Sequence, residues 1–96
     1  MADVISPKKE QALAEIRDWD VDFTDDLKSG VTISSSSATH TPPSGTADTP
    51  STSVSGSIVT ATLGPLSVTG THYLDIYATL SDGEISAIRL QLLVRF

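Results

Sequence analysis

From Trp19 onward, apolar side chains recur at every second residue, and this period limits the fold more than any other feature. In RDWDVDFTDD (17–26), Trp19, Val21 and Phe23 alternate with Asp18, Asp20 and Asp22. THYLDIYATLS (71–81) sets Leu74, Ile76, Ala78 and Leu80 against Tyr73, Asp75, Tyr77 and Thr79. ISAIRLQLLVRF (85–96) sets Ile88, Leu90, Leu92, Val94 and Phe96 against Arg89, Gln91, Leu93 and Arg95. Successive side chains of an extended strand point to opposite faces, so a period of two buries one face and leaves the other in water. SIVTATLG (57–64) adds a strand with Val59, Ala61 and Leu63 inward, and Val31 and Ile33 begin another in VTISSSSATH.

Between these runs lie breakers. Gly30 marks a turn, Pro42 and Pro43 cannot donate to a sheet ladder, and Pro65 ends the strand before it. Asp82-Gly83 is a two-residue hairpin signal, because such a turn needs positive φ. Ser44 to Ser57 is rich in Ser, Thr, Gly and Pro and reads as a long loop or an irregular edge strand. About six or seven short strands in this order predict an all-β antiparallel sandwich or small barrel. Ahead of them, SPKKEQALAEI (6–16) carries a helix start, with Ser6 as N-cap and Pro7 in the first turn, and Ala12, Leu13 and Ile16 would share one face. Residues 1–16 are therefore expected as an N-terminal arm or short helix, and residues 17–96 as the β-sandwich domain.

The chain has 96 residues, enough for one domain and a core but not for a deep ligand cavity as well. Its net charge is −6, and the six Lys and Arg are scattered, so the positive field that nucleic acid demands is missing. No apolar run is long enough to span a bilayer, and the N-terminus lacks the order of a secretory signal, so the chain is expected to fold in a cytoplasm. Without cysteine there are no disulfides and no thiolate chemistry.

The aspartates of 17–26 raise the question of metal. D-x-D-x-D opens an EF-hand loop, but counting from Asp18 the required Gly is Phe23 and the required Glu is Ser29. A looser calcium site using Asp25 and Asp26 is the metal alternative; the simpler reading is the wet side of a strand, where acids also discourage edge pairing. Adjacent acids on one exposed face do not make a glycosidase pair. A Ser–His–Asp set built on His72 and Asp75 lacks the G-x-S-x-G elbow. His40 reads as a loop residue and His72 as a strand-start residue near the rim. No catalytic residue, metal or cofactor is expected. Tyr73 and Tyr77 on the outward face, with Leu93 and Val68, suggest an apolar patch of the kind that marks a protein interface. Pro7, Leu13 and Ile16 of the arm are the other candidate contacts.

DWDVDFTDDLKSGVTISSSS resembles the D-W…L…G-D-T-I…S-S opening of short structural proteins of tailed bacteriophages, with SGVTI in place of GDTI. The ending, GTHYLDIYATLSDGEISAIRLQLLVRF, resembles their closing strands, the last of the R-x-x-L-x-L-x-V kind. The likeness runs over roughly residues 7 to 96. It implies an immunoglobulin-like β-sandwich and a non-enzymatic virion role, as a capsid decoration (cement) protein or a fiber–tail adaptor. The implied partners are major capsid, tail or fiber proteins, met in many copies. The alternative is an immunoglobulin-like adhesion or carbohydrate-binding module.

Overall fold

The structure, a computed structural model, describes residues 9–96. Seven strands follow one another: β1 (Lys9–Ala12), β2 (Arg17–Asp22), β3 (Ile33–Thr41), β4 (Ser51–Ser55), β5 (Ile58–Leu63), β6 (Gly70–Leu80) and β7 (Ile85–Arg95). They form a four-stranded sheet of order β1-β7-β6-β3 and a three-stranded sheet of order β2-β5-β4. Lettered from A′ to G in chain order, these are the A′GFC and BED sheets of an immunoglobulin-like Greek key.

The alternation places the core. Val21, Val59, Ala61 and Leu63 face inward from the smaller sheet, with Phe23 just beyond β2; Leu74, Ile76, Leu80, Leu90 and Leu92 meet them from the larger. Burial of large side chains such as Phe23 and Leu74 contributes about 2–3 kcal/mol each. Phe96 continues the inward phase of β7 but is 93% exposed. Its neighbours explain this: β1 ends at Ala12 opposite Arg95, and β6 begins at Gly70 opposite Val94, so no strand lies beside Phe96.

Two turns differ from expectation. Asp82-Gly83 belongs to a three-residue loop, Ser81–Gly83, closed by Leu80 N–H to Glu84 C=O (2.8 Å) and Gly83 N–H to Leu80 C=O (2.9 Å). Gly83, at φ +94°, takes the left-handed position that a three-residue hairpin requires. The two-residue hairpin is instead Gly56-Ser57, between Ser55 and its partner Ile58, so the Ser/Thr-rich middle contributes β4 as an edge strand.

The larger difference is at the N-terminus. Where the sequence left an arm or a short helix open, residues 9–12 are extended, a strand that runs parallel to β7 with Gln11 opposite Val94, so the helix is the alternative that fails; Ser6 and Pro7 lie outside the described residues. Parallel strands cannot be joined by a tight turn, and here the whole stretch from β2 to β6 connects them. Gln11 is the reason the strand conformation wins. Its side chain is fully buried. Its Nε2 donates to Leu63 C=O and to Glu15 C=O, both at 2.9 Å, and its Oε1 accepts the Trp19 indole N–H at 2.8 Å. A short helix in water is marginal, whereas here one amide satisfies three buried or half-buried partners and ties β1 to β2 and β5 of the facing sheet. Glu10 adds surface ties: its carbonyl accepts from Arg17, its carboxylate from Arg95. Gly64 makes the approach possible. At φ +121°, any Cβ there would collide with the Glu15 carbonyl and press on Gln11 Nε2.

Replacing Gln11 with Leu would strand the Trp19 N–H and the Leu63 C=O, and should lower unfolding free energy by about 3 kcal/mol. Urea titration followed by the single tryptophan measures this directly. Gly64→Ala is expected to cost at least about 2 kcal/mol through the clash and the positive φ. A loss below about 1 kcal/mol for Gln11→Leu would mean the amide does not tie the sheets.

Candidate functional site

The two outward faces have different chemistry. On the smaller sheet, Asp18, Asp20 and Asp22 of β2 stand opposite Thr62, Thr60 and Ile58 of β5. Each acid is held by a hydroxyl: Thr62 to Asp18 and Thr60 to Asp20 at 2.7 Å, Ser57 to Asp22 at 3.0 Å. The Thr24 hydroxyl and amide, with the Ser57 hydroxyl, hold the Asp22 carboxyl below its ordinary value. β4 adds Ser51, Ser53 and Ser55 opposite Thr62, Thr60 and Ile58. The result is a carboxylate and hydroxyl lattice, with the acids alternating against Trp19 and Val21 as the sequence pattern implies. Among the described residues no group of three or more His, Asp or Glu is arranged to hold a metal ion.

On the larger sheet, Tyr73, Asp75 and Tyr77 form one row on the central strand β6. Register places Tyr73 opposite Gln91, Asp75 opposite Arg89 and Tyr77 opposite Ala87, with Leu93 opposite Thr71 and Ile85 opposite Thr79. Arg89 grips Asp75 with two hydrogen bonds, Nε to Oδ1 at 2.7 Å and Nη2 to Oδ2 at 3.0 Å, and its guanidinium lies 4.8 Å from the Tyr73 ring centre. The planar fork of arginine suits both contacts. Leu93, a diagonal neighbour of Tyr73, is 38% exposed, and Ile85 is 66% exposed. The middle of this face is therefore aromatic and aliphatic around one fixed ion pair, and along β3 it is bordered by Ser35, Ser37, Thr39 and Thr41.

Of the candidate contacts, Tyr73, Tyr77 and Leu93 are thus brought onto one face. Leu13 and Ile16 lie in the β1–β2 connection: Leu13 is half-buried, its N–H bonded to Arg95 C=O and its C=O to Leu66 N–H, while Ile16 is exposed. Pro7 lies outside the described residues.

His72 lies near the start of β6, as expected, but His40 does not lie where expected. His40 is in β3, not a loop, and both His40 and His72 are buried. They form a chain across two sheet neighbours and two loops. Asp48 Oδ1 meets His40 Nδ1 at 3.1 Å, His40 Nε2 meets His72 Nδ1 at 2.7 Å, and His72 Nε2 meets Val68 C=O at 2.7 Å. The ring planes lie within 5° and the centres 5.0 Å apart. With so short an N–N contact, the rings are edge to edge in nearly one plane, which is hydrogen-bond geometry and not a stack. The chain lines a shallow cavity of about 220 Å³ between the loop after β3 and the segment before β6. The signal was present in the sequence: His72 is in phase with Leu74 and Ile76, and His40 with Ala38.

No protein-family model matches the chain, and a search of curated proteins finds no relative. No helix among the described residues is long and apolar enough to cross a membrane.

Burial holds the His72 imidazole below its ordinary pKa and the neighbouring His40 adds to this, while the bond to Val68 acts the other way. The folded state then keeps His72 neutral at a pH where the unfolded chain, titrating near about 6.5, binds a proton. The contribution of His72 to stability should fall as pH drops from about 7 through the unfolded-state value, and the difference in denaturant midpoint between the wild type and His72→Gln across that window checks it.

Proposed function

We propose that this protein is a non-enzymatic structural component of a tailed-bacteriophage particle, a small accessory domain that docks on the capsid or tail through the outer face of the β1-β7-β6-β3 sheet. The observation that carries this reading is the contrast between the two outward faces. One is a hydrated lattice of Asp, Thr and Ser, suited to solvent. The other gathers Tyr73, Tyr77, Leu93 and Ile85 around the Arg89–Asp75 pair, the mix of aromatic, aliphatic and arginine side chains that protein interfaces favour. The resemblance of 18–37 and 70–96 to phage adaptor and accessory proteins supplies the setting. Its partners would be phage capsid, tail or fiber proteins, and its place the assembled virion, formed in the host cytoplasm. A small domain used as a capsid decoration protein or a fiber–tail adaptor gains avidity from repetition, so no single contact need be large.

One observation favours a second reading, an adhesion or carbohydrate-binding module: two tyrosines flank a carboxylate on an open sheet. Binding of the isolated domain to a defined glycan on an array, lost in Tyr77→Ala, would support that module over the virion role.

Quantitative mass spectrometry of purified particles from a phage that encodes this chain should find it in every particle. Hundreds of copies would identify decoration, and about a dozen a neck or tail adaptor; absence from the particles sinks the proposal. In the same particles, Tyr73→Ser with Leu93→Ser should reduce occupancy at least tenfold, with the soluble domain still unfolding cooperatively.

A further inference from the structure

The histidine chain has ends that fix its proton count. Val68 C=O can only accept, so His72 Nε2 carries a proton and donates it. His72, kept neutral by its burial, then has a bare Nδ1, and His40 must supply the proton of the bond between them. At the far end stands the Asp48 carboxylate, which also accepts only. The bond from Asp48 to His40 therefore needs a proton of its own. Two neutral imidazoles bring two protons between them, and three bonds in a row, between two acceptors, need three. Since an imidazole is a stronger base than a carboxylate, the third resides on the histidine side, with Asp48 as its counter-ion.

We propose that Asp48, His40 and His72 form a binding site for a single proton, which clasps the loop over 42–48 to the segment over 65–68 and so closes one end of the sandwich. The surroundings leave the site to these groups. The cross-strand partner of His72 on β7 is Leu92, and that of His40 on β6 is Leu74. The segment before β6 presents Pro65, Leu66, Ser67 and Val68, and the loop after β3 presents no charge along the cavity besides Asp48. Asp48 is the movable member. Its side chain is 66% exposed against 5% for His40, so when the third proton leaves, the bond that breaks is the one at Asp48. The backbone bridge between His40 and Asp48, with N–O distances of 2.8 and 3.0 Å, then holds the loop without its side-chain partner. A fourth proton breaks the chain differently, because two N–H groups would face each other between the rings. The clasp is complete in one protonation state, between an acid limit and an alkaline one.

Nitrogen-detected NMR of the imidazoles over a pH series tests this. Where the clasp is closed, His72 should be neutral with its proton on Nε2, and His40 protonated on both nitrogens. As pH rises, His40 should lose its Nδ1 proton, and the protection factors of the His40 and Asp48 amides should fall about tenfold, the weight of one charge-assisted hydrogen bond. Two variants separate the proposal from a passive contact. Asp48→Asn places an N–H₂ donor opposite His40 Nδ1, so the chain closes with both rings neutral; the alkaline step should vanish while protection stays high. Asp48→Ala should also remove the step, with protection low at every pH. A wild-type His40 that at no pH carries both protons while His72 is neutral, or an Asp48→Asn protein that keeps the wild-type step, would overturn the one-proton site.

Discussion

The amide of Gln11 is the constraint on which the arrangement of the two sheets depends. β1 is only four residues long and pairs with the end of β7, so its register is weakly specified by backbone bonds alone. A slip by two residues would keep the in-and-out alternation and still form a parallel ladder. It would, however, carry the amide away from the Trp19 indole and the Leu63 carbonyl, leaving all of them buried without partners. An apolar residue at position 11 could not discriminate in this way. The polar contact gives up part of the hydrophobic gain available at this site and in return defines a single register, the best-attested use of a buried polar group.

How much of this was legible in the sequence depends on the range of the determining interaction. β2, β5, β6 and β7 follow from alternation, because which face is buried is encoded two residues at a time. The strand at 9–12 does not. Lys9, Glu10, Gln11 and Ala12 are good helix formers, and what makes them extended is a carbonyl 52 positions away and the free edge of the last strand. β4 was half legible: Ser51 to Ser55 lacks an apolar face, and it pairs because Gly56-Ser57 folds it back on β5. For the candidate site the same division holds. The outward phase of Tyr73, Tyr77 and Leu93 can be counted along the strands. The histidine chain cannot, although its inward phase can, since phase says which side a residue faces and not that His40 and His72 will be neighbours. That comes from the pairing of β3 with β6, in which Leu74 and not His72 is opposite His40.

The segment between β5 and β6 shows how an irregular stretch can be ordered without a ladder. Residues 64–69 form no strand, yet polar bonds fix this stretch along its length. Gln11 holds the carbonyl of Leu63, Leu13 C=O takes the amide of Leu66 at 2.7 Å, and His72 donates to Val68 C=O. Among the described residues no buried side-chain nitrogen or oxygen is left without a partner. The two polar devices are thus neighbours at one end of the sandwich: Gln11 stands opposite Val94 and His72 opposite Leu92, two positions apart on β7.

This bears on what the outer face of the larger sheet can do. Its central strands, β6 and β7, are paired over almost their whole length, and Gln11 anchors the β1 edge to the sheet behind it. Arg89, clamped on Asp75 and lying over Tyr73, removes further side-chain freedom from the middle of the face. A surface so fixed has little conformational entropy left to lose when another protein covers it. Modest area can then support binding, provided the contact is repeated in a symmetric assembly. A flexible surface of the same composition would lose part of each contact to ordering, and repetition would multiply that loss along with the gain. The rigidity set by buried polar bonds on the inside is therefore what would let a small aromatic face on the outside serve as the docking surface proposed for it.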